Sequence, residues 1–229
     1  MWNGKKKAVT FSFDDGVTQD IRLIEILNKY GLKGTFNINS GLLGLPNFLK
    51  SDLGKFNHTK ILASEVKALY EGHEVAVHSL THPTLVGLDE ETIIRQVEED
   101  RKALEKLCGY PIVGMAYPNG TNDDRVAAII ANNSPIKYSR TITSTHSFTV
   151  QKENLLRYNP TVYYVEDCLE ELVDRFLASE SDEDQLLYIW GHSYEMDARL
   201  ISWEKFEEIC KKLAFRDDIF YGTNKEVLL

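Results

Sequence analysis

Short apolar runs of strand length alternate with amphipathic stretches of helix length along the whole chain, and this alternation constrains the fold more than any other feature. A strand, a helix and a second strand in succession build parallel sheet, because the helix carries the chain back to the edge where the first strand began. No Ser/Gly-rich linker, low-complexity block or internal repeat breaks the rhythm, so residues 1–229 read as one α/β domain. With 43% hydrophobic residues, a chain of this length can enclose a sizeable core.

Ala8 to Phe13 reads as a buried strand. A helix is expected over Thr18 to Tyr30, with Ile21, Ile24 and Leu27 on one stripe and Gly31 ending it. Gly34 to Ile38 is the second strand, Gly41 to Lys60 a long loop, Ser64 to Tyr70 a helix and Glu74 to Val77 the third strand. Asp89 is placed to cap the strongest helix, which runs to about Leu107 with Ile93, Val97, Leu104 and Leu107 inward and Gly109 behind it. Further strands are expected at Ile112 to Ala116, Lys137 to Ile142, Leu155 to Tyr164, Leu186 to Trp190 and Ile219 to Tyr221. Helices fall between them at Asp123 to Ala131, Asp167 to Ala178 and Trp203 to Leu213. Six to eight such units fit a barrel better than a two-layer sandwich, and a barrel of this kind carries its site at the carboxyl ends of its strands.

Charge and cysteine content exclude several classes. Acidic residues outnumber basic ones, 35 to 26, giving a formal charge of −9 that repels a phosphate backbone. The one basic run, Lys5-Lys6-Lys7, reads as a solvated edge, so no nucleic-acid partner is expected. Cys108, Cys168 and Cys210 are far apart and form no C-x-x-C pair, which argues against a disulfide framework or a sulfur-rich zinc site. The first strand begins too early for a signal peptide ahead of it, and no apolar run approaches the roughly 20 residues that cross a bilayer. A cytoplasmic protein without a membrane partner is the expectation; oligomeric state is not legible.

The polar residues with chemical potential follow strands. Asp14 and Asp15 close the run Val9-Thr10-Phe11-Ser12-Phe13 and precede Gly16, so two carboxylates stand where a buried strand enters a tight turn, although Asp before a helix also serves as a cap. His78 ends the third strand, and His82 follows four positions later in His78-Ser79-Leu80-Thr81-His82-Pro83. That spacing lets two imidazoles converge on one ion. Two neutral imidazoles and one carboxylate make an open three-ligand set for Zn2+ or a similar divalent ion, the arrangement of a catalytic rather than a structural site. An ion so held lowers the pKa of its water toward about 7, and the second carboxylate can take the remaining proton as that water attacks a carbonyl. His192, after the strand ending at Trp190, can donate a proton to a leaving group or be a satisfied core histidine. His58, His73 and His146 have no such setting and read as surface or structural residues.

These motifs, in this order, resemble the polysaccharide deacetylase family, the carbohydrate esterase family four domain also found in chitooligosaccharide and peptidoglycan deacetylases. Thr10-Phe11-Ser12-Phe13-Asp14-Asp15-Gly16 is similar to its first motif, His78-Ser79-Leu80-Thr81-His82-Pro83 to its second, Tyr117-Pro118-Asn119-Gly120 to its third, and the segment ending in His192 to its fifth. The resemblance implies a distorted (β/α)7-like barrel, Asp14 as general base, Asp15, His78 and His82 as metal ligands and His192 as general acid. It implies one divalent ion, Zn2+ first with Co2+, Mn2+ or Ni2+ as alternatives, and hydrolysis of an N-acetyl group on an amino sugar or oligosaccharide. The backbone N–H near Asn119 would face the oxyanion. Tyr117 and Trp190 are candidates to pack on a sugar ring, with core packing an equal account of Trp190.

Two departures from the family pattern stand out. Met115-Ala116 occupies the place of an Arg that would orient the base; Arg140 resembles an arginine that substitutes for it, with Arg157 as a second candidate. The fourth motif, an Asp-Trp element behind the acid histidine, is missing, leaving Glu195 or Asp197 for that task. The rival readings are a metal-independent hydrolase of cyclic amides or ureides, against which the intact ligands argue, and a carbohydrate-binding protein with a degenerate site, which would hold glycan without releasing acetate.

Overall fold

The computed structural model describes residues 2–51 and 54–229. In chain order the elements are β1 (Lys7–Asp14), α1 (Asp20–Lys29), β2 (Gly34–Ile38), β3 (Phe48–Ser51), β4 (Gly54–Asn57), α2 (Val66–Leu69), β5 (Glu74–Val77) and α3 (Glu90–Cys108). They continue with β6 (Gly114–Ala116), α4 (Asp124–Asn133), β7 (Tyr138–Arg140), β8 (Val162–Tyr163), α5 (Leu169–Ala178) and β9 (Gln185–Gly191). The chain closes with α6 (Tyr194–Asp197), α7 (Trp203–Leu213), β10 (Ile219–Tyr221) and α8 (Asn224–Leu228).

One parallel sheet runs in the order β7-β6-β5-β2-β1-β9-β8. Its centre, β1, is buried along all eight residues because β9 lies on one edge and the other edge is shared. On that shared edge β2 pairs with Phe11 to Asp14 and β10 with Lys7 to Val9. The sheet curls until its ends approach: Tyr158, just ahead of β8, donates its N–H to Ser139 and accepts from the N–H of Thr141 on the β7 side. Three residues later the N–H of Thr161 reaches Tyr188 on β9. The molecule is thus a single α/β domain with a curled parallel sheet, the distorted barrel that the sequence predicts.

Side-chain alternation separates two environments. Val9, Phe11 and Phe13 point outward into the main core with Leu23, Leu27 and Phe206, beneath the helices. Ala8 points inward with Tyr188 and Trp190, against Trp2 and Val227. Thr10, Ser12 and Asp14 continue that inward row, so the barrel interior is polar and hydrogen-bonded. At its N-terminal end the Thr223 capping box starts α8, whose first amides donate to Thr35 Oγ1 and Glu74 Oε2.

Three readings of the sequence need correction. Gly41 to Lys60 is no plain loop but contains the antiparallel hairpin β3–β4, whose described strands pair Phe48 with Asn57 and Leu49 with Phe56. Ile21 is 45% exposed, and Leu23, Ile24, Ile26 and Leu27 are the buried side of α1. Of the expected strand from Leu155 to Tyr164 only Val162 and Tyr163 form β8 and Tyr158 makes an isolated bridge to Arg140, while a single helical turn occupies Leu155–Arg157. Asp89 and Gly109 terminate α3 as predicted: the Asp89 carboxylate accepts the N–H of Thr92, and Gly109 takes a φ of 83°.

Candidate functional site

Neighbouring residues on a strand face opposite ways, so Asp14 and Asp15 would diverge if β1 ran on unchanged. Asp15 instead adopts a φ of 85°, with its N–H on the Asn37 carbonyl at 2.9 Å, and Gly16 follows at 60°. A side chain on Gly16 would meet Ile38 at 2.9 Å, which keeps that place for glycine. The reversal brings both carboxylates to one cleft. Ser79 and His82 in the loop after β5, and Asn119 after β6, also have positive φ values of 62°, 61° and 57°. Left-handed backbone at non-glycine residues is costly, and four such residues lie in the turns around this one opening.

Asp14 lies inside the barrel mouth. Its Oδ1 accepts from Asn37 Nδ2 at 2.8 Å and from Arg140 at 2.5 Å, and the same guanidinium also binds Oδ2. Burial pushes the carboxyl pKa up, but the charge of Arg140 and then the nearby His78 and His192 outweigh it, so the pKa is lowered and Asp14 is ionised. Arg140 is itself buried, with its guanidinium carbon 4.4 Å from the centre of the Trp190 ring. Arg157 is elsewhere, bound to Asn122 and Asp124.

Asp15, His78 and His82 place one ligand atom each within 4.8 Å of one another. His78 Nδ1 lies 2.9 Å from the Ala116 carbonyl, which can only accept, so the free lone pair is at Nε2. Burial lowers the His78 pKa to about 4, so the ring is neutral as a ligand must be. His82 Nε2 stands 3.6 Å from Asp15 Oδ1, and the two imidazole rings are 4.8 Å apart. Two imidazoles and one carboxylate, with no thiolate, fit a divalent ion of borderline hardness with positions left open. The buried Asp100 carboxylate supports the loop by accepting the N–H groups of Ser40 and His78.

His192 faces the same cleft from the end of β9, with Nε2 3.8 Å from Asp14 Oδ2. Its Nδ1 is 3.1 Å from Glu195 Oε1, an ion-pair distance without hydrogen-bond alignment, and its N–H donates to Glu195 Oε2. Burial acts to lower the His192 pKa, but Glu195 and then Asp14 and Asp15 prevail and raise it to about 9. Glu195 is therefore the group behind His192; Asp197 bonds Gln19 and Trp203 instead. Gly191 is required here because any side chain would overlap the Tyr164 ring, whose hydroxyl binds the His192 carbonyl.

The cleft, of about 300 Å³, is lined by these groups together with Tyr117, Asn119, Gly120, Ile142, Trp190 and Tyr194. Trp190 is buried, with Arg140 over its ring and Tyr163 stacked at 4.5 Å, so its faces are largely taken by protein. Tyr117 is also buried and donates its hydroxyl to the Leu156 carbonyl; Asn119 is exposed and donates to Thr84. Tyr194, which the sequence reading omits, lies 5.0 Å from the His192 ring and stacks on Phe56 of β4. His58, which reads from the sequence as surface or structural, and Lys60, which carries no sequence signal, are both buried against Asp15. Only Asn37 had left a signal, as a polar residue in an apolar strand. His73 is structural, accepting the N–H of Gly34, and His146 is 49% exposed beside Glu166.

The model of the polysaccharide deacetylase family matches residues 2–136, more than half of the chain. The chain belongs to that family. A peptidoglycan-N-acetylglucosamine deacetylase of Listeria monocytogenes is 26% identical over 124 residues, covering 53% of this chain and 23% of its own length. Chitin deacetylase 1 of Cryptococcus neoformans is 28% identical over 128 residues, 55% of this chain and 24% of that protein. The match therefore spans about a quarter of either relative. In fold, the chain is similar to a candidate polysaccharide deacetylase from Mycobacterium smegmatis, with a TM-score of 0.71, 18% identity and coverage of 98% of this chain and 90% of that one.

Proposed function

We propose that this chain is a metal-dependent deacetylase that hydrolyses the N-acetyl amide of an amino sugar, alone or in an oligosaccharide or polysaccharide, and that residues 1–229 form its catalytic domain. The observation that carries this reading is the convergence of three units on one cleft: the ligand set Asp15, His78 and His82, the Asp14–Arg140 pair, and the His192–Glu195 pair. Support for the substrate class comes from the relatives named for peptidoglycan N-acetylglucosamine and chitin.

In this reading Asp15, His78 and His82 hold one divalent ion, Zn2+ in first place, and the ion supplies Lewis acidity toward water and the amide carbonyl. Asp14 is the general base. Arg140 and Asn37 hold its carboxylate ionised and fixed in direction, so it accepts the proton of the attacking water. His192 is the general acid: Glu195 keeps it protonated, and Nε2, turned toward the cleft, delivers that proton to the departing amine. Asn119 contributes a backbone N–H toward the developing oxyanion, and Tyr117 and Trp190 shape the wall that meets the sugar.

The test is acetate release from N-acetylglucosamine oligomers, single N-acetylated sugars and small amides, with Zn2+, Co2+, Mn2+ and Ni2+ compared. Turnover that depends on the ion and disappears in His78→Ala is expected. Full activity after chelation would overturn the reading.

A further inference from the structure

The metal-binding carboxylate has a support of its own, and it comes from the segment around the hairpin. Asp15 Oδ2 lies 3.2 Å from His58 Nε2, while Oδ1 is the oxygen that faces His82. His58 Nδ1 is 3.2 Å from Asn47 Nδ2. Asn47 uses its Oδ1 to accept the N–H of Phe48 at 2.8 Å, so its amide nitrogen is the end turned toward the ring. An amide nitrogen only donates; His58 Nδ1 must therefore accept, and the ring hydrogen is on Nε2, aimed at Asp15. The His58 N–H is bound to the Asn47 carbonyl and the Tyr194 ring packs edge-on at 4.7 Å, which leaves the imidazole little freedom. Lys60, two residues on, donates to the Asp15 carbonyl at 2.8 Å and so holds the backbone at the reversed turn, with its Nζ also 3.3 Å from Oδ1.

Asn47 and His58 stand on either side of β3–β4, so pairing of those two strands is what brings them together. We infer that His58 is a positioning residue for Asp15: it ties one carboxylate oxygen and presents the other, in a fixed direction, to a divalent ion shared with His78 and His82. The inference rests on the metal reading above. Partners of this kind orient a ligand without touching the metal, and their loss costs about 10–100-fold in affinity.

Zn2+ affinity of the full chain, measured by competition with a chromophoric chelator, tests this, with the absorption spectrum of the Co2+ form reporting ligand geometry. His58→Ala should weaken Zn2+ binding about 10–100-fold and alter the Co2+ bands, and His58→Gln, whose amide can still donate to Asp15, should recover part of the loss. His82→Ala serves as the control for the ligand set. Wild-type affinity in His82→Ala would overturn the metal reading itself. Weak binding in His82→Ala beside wild-type affinity and an unchanged Co2+ spectrum in His58→Ala would overturn the role of His58 alone. If His58→Ala does not fold, Asn47→Ala carries the test: freeing Nδ1 should weaken Zn2+ binding about threefold to tenfold, and unchanged affinity would again overturn the proposal.

Discussion

Carboxyl groups are buried at both ends of this barrel, and their pKa values move in opposite directions. At the N-terminal end Glu74 is surrounded by neutral donors, the hydroxyls of Thr35 and Tyr138 and the N–H of Lys225. Burial prevails over those hydrogen bonds, and its pKa is raised. At the C-terminal end Asp14 and Asp15 are no less buried, but their pKa values are lowered. Burial again acts upward on both, and Arg140 reverses it at Asp14 while His58 and Lys60 do so at Asp15. Neutral donors leave the buried Glu74 carboxyl raised, whereas the guanidinium at Asp14, and the His58 hydrogen bond together with the Lys60 ammonium at Asp15, bring theirs down. The chain places those partners at the end that opens to a cleft and α8 at the end that does not.

The comparison is broken most directly by removing its charged end. Asp15→Ala or His82→Ala should abolish both stoichiometric metal binding and acetate release, as read by elemental analysis and turnover. Asp14→Asn should leave the metal content intact and lower kcat/KM by about 10²–10⁴-fold. Arg140→Ala leaves the Asp14 carboxylate buried without its cation and should cost about 3–5 kcal/mol in denaturant unfolding. The acid limb of unfolding should also move: a carboxyl with a lowered folded pKa contributes stability above its unfolded value that is lost as pH falls through the folded one, and Arg140→Ala removes most of that contribution.

Glu195→Gln tests the pairing behind His192. A histidine raised to about 9 contributes stability that is fully present below its unfolded pKa near 6.5 and is lost as pH rises through about 9. If that proton is the one delivered to the amine, activity falls on the same limb, and Glu195→Gln should draw the alkaline limb of the pH–rate profile toward neutrality. The smallest effect is expected at the closed end. Glu74→Gln should change stability at neutral pH by no more than about 1–3 kcal/mol, with metal affinity unaltered. Because the raised Glu74 pKa favours folding below the unfolded value and loses that benefit as the group ionises, the variant should be less sensitive to rising pH. A large loss of metal from Glu74→Gln would show that the two ends are not independent.

Several features follow from local sequence because their physics is local. Strand and helix alternate visibly, the Asp89 cap and the Gly109 stop act within one turn, and β1 alternates apolar Val9, Phe11 and Phe13 with polar Thr10, Ser12 and Asp14 as the period of a strand demands. The order of the motifs was enough to single out Asp14, Asp15, His78, His82 and His192, since each ends or soon follows a strand whose carboxyl end opens on the cleft. Among their partners, Arg140 and Glu195 enter only through the family resemblance, each beside a rival, and His58 is not read as a partner at all. Arg140 meets Asp14 across 126 positions, and His58 meets Asp15 across 43, distances over which no periodicity or capping rule acts. The curl of the sheet decides the first meeting, because it brings β7 round to the barrel mouth. Hairpin pairing and the left-handed turn at Asp15 decide the second. By itself the sequence determined which residues stand at the strand ends and kept Glu195 within three positions of His192; only the tertiary structure decided what holds Asp14 and Asp15 in their charge states, because partners distant in the chain are chosen by packing.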